Sequence, residues 1–178
     1  MAAEVGKKYV IIGNGIAGTT CAQELRKNDP SCDIWLITNE PHPLYNRVSL
    51  PRYLQGLLPE QKVFIRDFAW HEEQRITLLT ETLVTRVDTD ERVVYLDHGG
   101  PLRYDALLVA TGGWANKLEA PGAEGVANIF NFVTMDDTRE LIARALESKV
   151  AVTSGGSFIA YELTEGLNVR GVHVTWLM

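Results

Sequence analysis

Residues 9–18 read YVIIGNGIAG, a β-branched and aromatic run that breaks into glycines at positions 13, 15 and 18. Such a run suits a buried strand. Residues 19–27 suit a helix, so the G-x-G-x-x-G spacing falls on a strand-to-helix turn. Gly13 then allows the tight turn, Gly15 lets a pyrophosphate approach the main chain, and Gly18 lets the helix lie close to the strand. The N–H groups that open the helix face the phosphates. A second strand is expected next, ending near an acid that holds a ribose. Residues 33–38, DIWLIT, supply the strand and Glu40 the acid. A bare glycine turn with Glu40 as a solvated charge is the plainer alternative. Strand, helix, strand and acid in that order favour a dinucleotide site built from Gly13, Asn14, Gly15, Ile16, Ala17, Gly18, Asn39 and Glu40.

Composition narrows the setting. The 178 residues suffice for one domain, or for one domain and part of another. A net charge of −6 argues against a nucleic-acid partner, and no apolar stretch is long enough to span a bilayer. MAAEVGKK runs straight into the first strand, so a cytoplasmic location without a signal peptide is expected. Cys21 and Cys32 form neither a C-x-x-C pair nor part of a metal cluster, and both read as small buried or half-buried thiols. The four histidines (His42, His71, His98 and His173) are scattered, so no metal site is assigned.

Beyond residue 38 the chain enters a proline-rich polar loop, EPHPLYNR. Short helices are expected over 49–55 and over 67–74, the latter capped by Asp67. Strands are expected over 76–79, 83–87 and 93–96, the last two split by a DTDE turn. Residues 106–110, ALLVA, form a continuous apolar run ending in Thr111-Gly112-Gly113, which suits a strand buried on both faces. Pro121-Gly122 and Gly125 mark a linker, and a strand is read over 128–133. Thr134 caps a helix to about residue 147, with Asp136 and Asp137 in its first turn. The opening pattern then recurs: a strand at 150–153, a turn at 155–160, a helix at 161–168 and a strand at 172–177. In this echo Ser157 replaces the second glycine, where its Cβ crowds a pyrophosphate, and Ala160 replaces the third.

Three motifs stand in one order: GNGIAG at 13–18, DALLVATG at 105–112 and GGSFIAYEL at 155–163. This ordered triple resembles the pyridine-nucleotide–disulfide oxidoreductase superfamily of FAD flavoproteins, over essentially the whole chain. The resemblance implies an α/β fold: a Rossmann-like FAD/NAD(P)-binding domain with an inserted β-meander, then the start of a second βαβ unit. Residues 1–122 would be the N-terminal part of the FAD domain and 123–178 the incomplete start of the NAD(P) domain. The loop EPHPLYNRVSLPRYLQG at 40–56 is similar to the branch of nitrite reductase flavoproteins and rubredoxin and ferredoxin reductases. There Arg47 matches an arginine that approaches the FAD phosphates, and Asn14 also fits. Glu40 matches the acid on the adenosine ribose. Ala110, Thr111 and Gly112 match the turn that passes the cofactor. Val84 either meets the adenine edge through its backbone or is a plain strand residue. Arg52 either takes the place of a lysine near the flavin ring or is a solvated arginine. Gly155 and Gly156 open the site for the nicotinamide nucleotide.

The departures from the family pattern are equally informative. The C-x-x-x-x-C pair of the disulfide reductases is missing, and Val48 falls where a second branch carries a single cysteine. Thiol–disulfide chemistry is therefore argued against. What remains is electron transfer from NAD(P)H through FAD to an acceptor protein or metal-centre subunit. Family members also run well beyond residue 178, so a truncated or split protein is expected, with a second chain supplying the missing domains.

Overall fold

The computed structural model describes residues 6–116 and 120–178. Residues 1–5 of the MAAEVGKK segment lie outside them. The elements in chain order are β1 (Lys8–Ile12), α1 (Ile16–Asn28), β2 (Asp33–Ile37), α2 (Leu50–Leu54), α3 (Phe68–Glu73), β3 (Ile76–Leu79), β4 (Val84–Asp88), β5 (Val93–Leu96), β6 (Leu102–Arg103), β7 (Ala106–Val109), α4 (Met135–Glu147), β8 (Val150–Ser154), α5 (Phe158–Val169) and β9 (His173–Leu177). They form two compact units. The first runs to Tyr45 and resumes over Phe64–Gly112; the second takes Asn46–Val63 and resumes after Gly112.

The first unit is built on a four-stranded parallel sheet in the order β3-β2-β1-β7. Alternation along β1 sends successive side chains to opposite faces. Ile11, with Ala22, Ile34, Leu36 and Ile76, packs on the side of α1 and α3. Val10, Ile12 and Ile37 pack against Val94 and Leu102 of the antiparallel meander β4-β5-β6. The sheet is thus covered on both faces, which is why β1 and β2 read as near-continuous apolar runs. Removing each of the buried Val, Leu and Ile side chains among them from water contributes about 1.5–3 kcal/mol. Asp67 caps α3 as its position suggests, its Oδ1 accepting from Trp70 N at 2.8 Å.

The second unit contains a parallel pair, β8 and β9, joined through α5, so the second βαβ start is real. Ala145, Leu167 and Val172 form its small core. Thr134 and Asp137 make a reciprocal capping box on α4, their side chains each taking the other's backbone N–H. Segment 46–63 is held to this unit by several bonds. Tyr53 Oη donates to Glu60 at 2.5 Å, and Arg139 of α4 donates to the other oxygen of the same carboxylate at 2.6 Å. Arg170 donates to Leu54 O. Burial, then the Glu60 carboxylate, pushes the Tyr53 phenol up to about 12.

Three expectations are corrected. Residues 128–133 form no strand, because among the described residues no strand offers them a ladder. They run as turn and coil, with Phe132 buried and Val133 N held by Asp137 Oδ2 at 2.9 Å. Strand β7 is not buried on both faces. Among the described residues it is an edge strand paired only with β1, and Val109 is 60% exposed. Helix α5 begins at Phe158 rather than at residue 161, because Ser157 caps it: its Oγ accepts from Ala160 N at 3.4 Å.

Candidate functional site

Register brings the motifs of the first unit together. Ile12 lies opposite both Ile37 and Val109, and Ile37 opposite Leu79, so β1, β2, β3 and β7 end at one edge of the sheet. Gly13 leaves β1 there, Asn39 and Glu40 follow β2, and Ala110, Thr111 and Gly112 follow β7. The chain departs from β1 to one side through β2 and β3 and returns on the other side as β7. A crevice opens at such a switch point, outside the carboxyl ends of the strands.

Main-chain bonds lock these ends. Gly13 N donates to Ile37 O, Ala110 N to Ile12 O, and Thr38 N to Leu79 O, each at 2.8 Å. Gly13 sits at φ +113°, a conformation that favours glycine, and a Cβ built there would lie 2.1 Å from Ala110 O. A Cβ on Gly18 would lie 1.9 Å from Gly13 O. A Cβ on Gly15 would meet nothing within 4 Å. Two glycines are therefore needed for packing inside the protein, and the middle one faces open space.

Gly15 is also the N-cap of α1, which has no side-chain cap and no acid in its first turn. Neither its cap residue nor its own first turn supplies a side chain that answers the positive end of the helix. The other two long helices differ: Ser157 caps α5 and the Thr134–Asp137 box caps α4. At the echo, Gly155 reproduces the positive φ of Gly13 at +137°, and Gly156 is exposed. The Ser-before-apolar signature SFIA marks that cap in the sequence.

Around the glycine loop, Asn14 accepts from Thr19 Oγ1 at 2.9 Å and donates through Nδ2 to His42 O at 3.2 Å. It thereby ties the loop after β2 to the glycine turn. Glu40 is half-buried, and Tyr45 Oη donates to its Oε2 at 2.6 Å. Ile16 and Ala17 are exposed on the first turn of α1. Val84 opens β4 at a β-bulge, just after Thr82 N bonds to Thr38 O at 2.9 Å. Arg47, Arg52, Gly155 and Gly156 belong to the second unit. Arg47 donates to Val133 O at 2.9 Å, and Arg52 is exposed on α2. The roles of Tyr45 and of the Asn14–His42 tie have no short-range sequence signature, since each bond depends on how the loop folds back.

The fold and these strand ends define a Rossmann-type α/β protein with an open, glycine-formed helix N-terminus at the switch point. The chain belongs to the pyridine nucleotide-disulphide oxidoreductase family, whose model matches residues 7–178. It is 34% identical over 95% of its length to the assimilatory nitrate reductase electron transfer subunit of Bacillus subtilis strain 168, covering 22% of that protein. It is 36% identical over 94% of its length to the ferredoxin reductase component of chlorobenzene dioxygenase from Cupriavidus sp. strain PS12, covering 40% of it. Among solved structures it resembles a ferredoxin reductase from Rhodopseudomonas palustris, with TM-score 0.87 and 28% identity, over 96% of this chain and 42% of the other. The chain thus spans between about a fifth and two-fifths of the length of these relatives. Among the described residues no helix is long and apolar enough to cross a membrane.

Proposed function

We propose that the chain binds FAD on its first unit, as part of an oxidoreductase that passes electrons from NAD(P)H through FAD to a protein or metal-centre acceptor. The observation that carries this is the uncapped α1 N-terminus at the switch point, with open space over Gly15 and Glu40 on the neighbouring strand end. This donor set fits FAD. The N–H groups of α1 take the pyrophosphate, the Glu40 carboxylate takes the adenosine ribose, and the Ala110–Thr111–Gly112 turn borders the cofactor. The Val84 backbone would meet the adenine edge. Arg47 would answer a phosphate, the task a guanidinium suits through bidentate hydrogen bonds. Arg52 would supply positive charge to the flavin, and Gly155 and Gly156 would receive the nicotinamide nucleotide. In domain terms, residues 1–122 serve FAD and 123–178 open the NAD(P) domain. FAD supplies the hydride-accepting and electron-releasing chemistry when bound.

A redox cysteine has no part in this reading. Burial pushes both the Cys21 and the Cys32 thiols up, the reverse of what a thiolate nucleophile needs. Two unpaired thiols also fit the cytoplasm. The names of the relatives support a small redox protein or a reductase subunit as acceptor. A second reading, an FAD-binding subunit active only with another polypeptide, is favoured by Ser157, whose side chain takes the cap position that Gly15 leaves open at the first site.

Reconstitution with FAD followed by an absorption spectrum, then anaerobic addition of NADH, tests both. Bound flavin that bleaches supports the oxidoreductase. Flavin that binds but stays oxidised until a partner chain is added supports the second reading. A protein that recovers no flavin refutes both.

A further inference from the structure

Glu40 lies on a loop, where a carboxylate ordinarily samples several rotamers, yet its Oε2 accepts from Tyr45 Oη at 2.6 Å. The phenol itself is fixed from three directions. Its main chain forms an antiparallel bridge with Phe64, and the preceding Leu44 O accepts from Ile65 N at 2.9 Å and Arg66 N at 3.1 Å. Its ring meets His42 and Phe64 edge-on, at centroid distances of 6.1 and 6.4 Å, and the residue is only 8% exposed. The His42 carbonyl is in turn held by Asn14 Nδ2 from the glycine loop. A rigid path of packed rings and hydrogen bonds therefore runs from the turn at Gly13 to the Glu40 carboxylate, all within the first unit.

We propose that Tyr45 is a positioning residue: its hydroxyl presets the Glu40 carboxylate for the adenosine ribose of the dinucleotide, with Asn14 setting the loop that carries both. This rests on the FAD reading above. The physical reason is preorganisation. A carboxylate already held in one rotamer loses less side-chain freedom when the ribose hydroxyls arrive. The phenol donates and the carboxylate accepts, the same polarity with which it would meet the ribose O–H groups. A hydrogen bond to a charged group is worth enough to expect roughly ten-fold weaker FAD binding when it is lost.

The test measures FAD dissociation constants by quenching of flavin fluorescence for the parent chain, Tyr45→Phe, Glu40→Ala and the double variant, alongside melting of each apo form. Phenylalanine keeps the ring in its aromatic cluster. The expected result is an approximately ten-fold loss for Tyr45→Phe that disappears in the Glu40→Ala background. A purely structural role for Tyr45 would weaken binding equally in both backgrounds, and that result overturns the proposal, as does unchanged affinity in Tyr45→Phe. A parent chain that binds no FAD overturns the cofactor reading itself, a failure distinct from the other two.

Discussion

Substituting Gly18 by alanine tests how closely α1 is seated on the strand-end turn. In a solvated helix this change stabilises by up to about 1 kcal/mol, because glycine is the poorer helix former. Here the added methyl would lie 1.9 Å from Gly13 O and 3.1 Å from Ile11 Cγ2. Carbon contacts settle at about 3.5 Å, so the first distance falls short by roughly 1.5 Å. Neither partner can yield cheaply. Gly13 is pinned by its N–H bond to Ile37 O at 2.8 Å and by its own close approach to Ala110 O, and Ile11 is 1% exposed. The helix must therefore lift from the sheet and loosen its contacts with Ile11, Ile34 and Leu36. Overpacking of this kind costs about 1–3 kcal/mol, and a clash with main-chain atoms belongs at the upper end. Net of the propensity gain, a destabilisation of about 2 kcal/mol is expected. Urea unfolding followed by circular dichroism should show a midpoint lower by about 1 M. Ala160→Gly, at the matching place in the second unit, is the control. Its methyl is accommodated there, so its removal should cost about 1 kcal/mol through helix propensity. A Gly18→Ala midpoint equal to or above that of the parent chain would refute the reasoning.

Further outcomes follow from other sites in the two units. Arg26 donates to four carbonyls, Gln74 O at 2.8 Å, Pro30 O at 3.0 Å, Cys32 O at 2.8 Å and Arg75 O at 2.6 Å. A lysine ammonium cannot span them, so Arg26→Lys should cost about 2 kcal/mol, read as a melting temperature roughly 5 °C lower. Thr153 is 3% exposed and its Oγ1 has no hydrogen-bond partner. Thr153→Val should therefore raise stability by about 1 kcal/mol, and a lower melting temperature would show that the hydroxyl is satisfied. His71 is buried, with Nδ1 donating to Asp67 O at 2.8 Å and Nε2 unpartnered. Burial lowers its pKa from the ordinary 6.5. The unfolded chain then binds the proton more tightly, so the contribution is complete above about pH 6.5 and is lost as the pH falls below it. Comparing urea midpoints at pH 8 and pH 5 should show a smaller drop in His71→Phe than in the parent chain.

The local grammar of the chain was readable because it rests on short-range forces. Thr134 and Asp67 cap where side-chain oxygens precede apolar helical spacing, and Gly13 turns where only glycine tolerates its φ. Residues 106–109 form a strand as their composition suggests, but composition could not say that β7 stands at the sheet edge; strand order is a property of pairing. The apolar run 128–133 shows the same limit, since a strand exists only where another offers its hydrogen bonds. Ser157 stands where its Cβ would crowd a pyrophosphate, and the structure adds that its hydroxyl caps α5, which starts three residues earlier than the sequence suggests.

By itself, then, the sequence determined the glycine turn, the two βαβ starts, the acid at position 40 and the family, all written in spacings of a few residues. Only the tertiary structure decided which of these meet. Parallel register brings the ends of β1, β2 and β7 to one edge, where Gly13 abuts Ala110. Loop folding brings Tyr45 onto Glu40, and long-range bonds from Arg139 and Arg170 attach segment 46–63 to the second unit rather than to the strands it follows. The reason is physical. Caps and turns are settled by neighbours along the chain, whereas hydrogen bonds between residues far apart in sequence exist only once the core has closed and the entropy of ordering the intervening chain has been overcome.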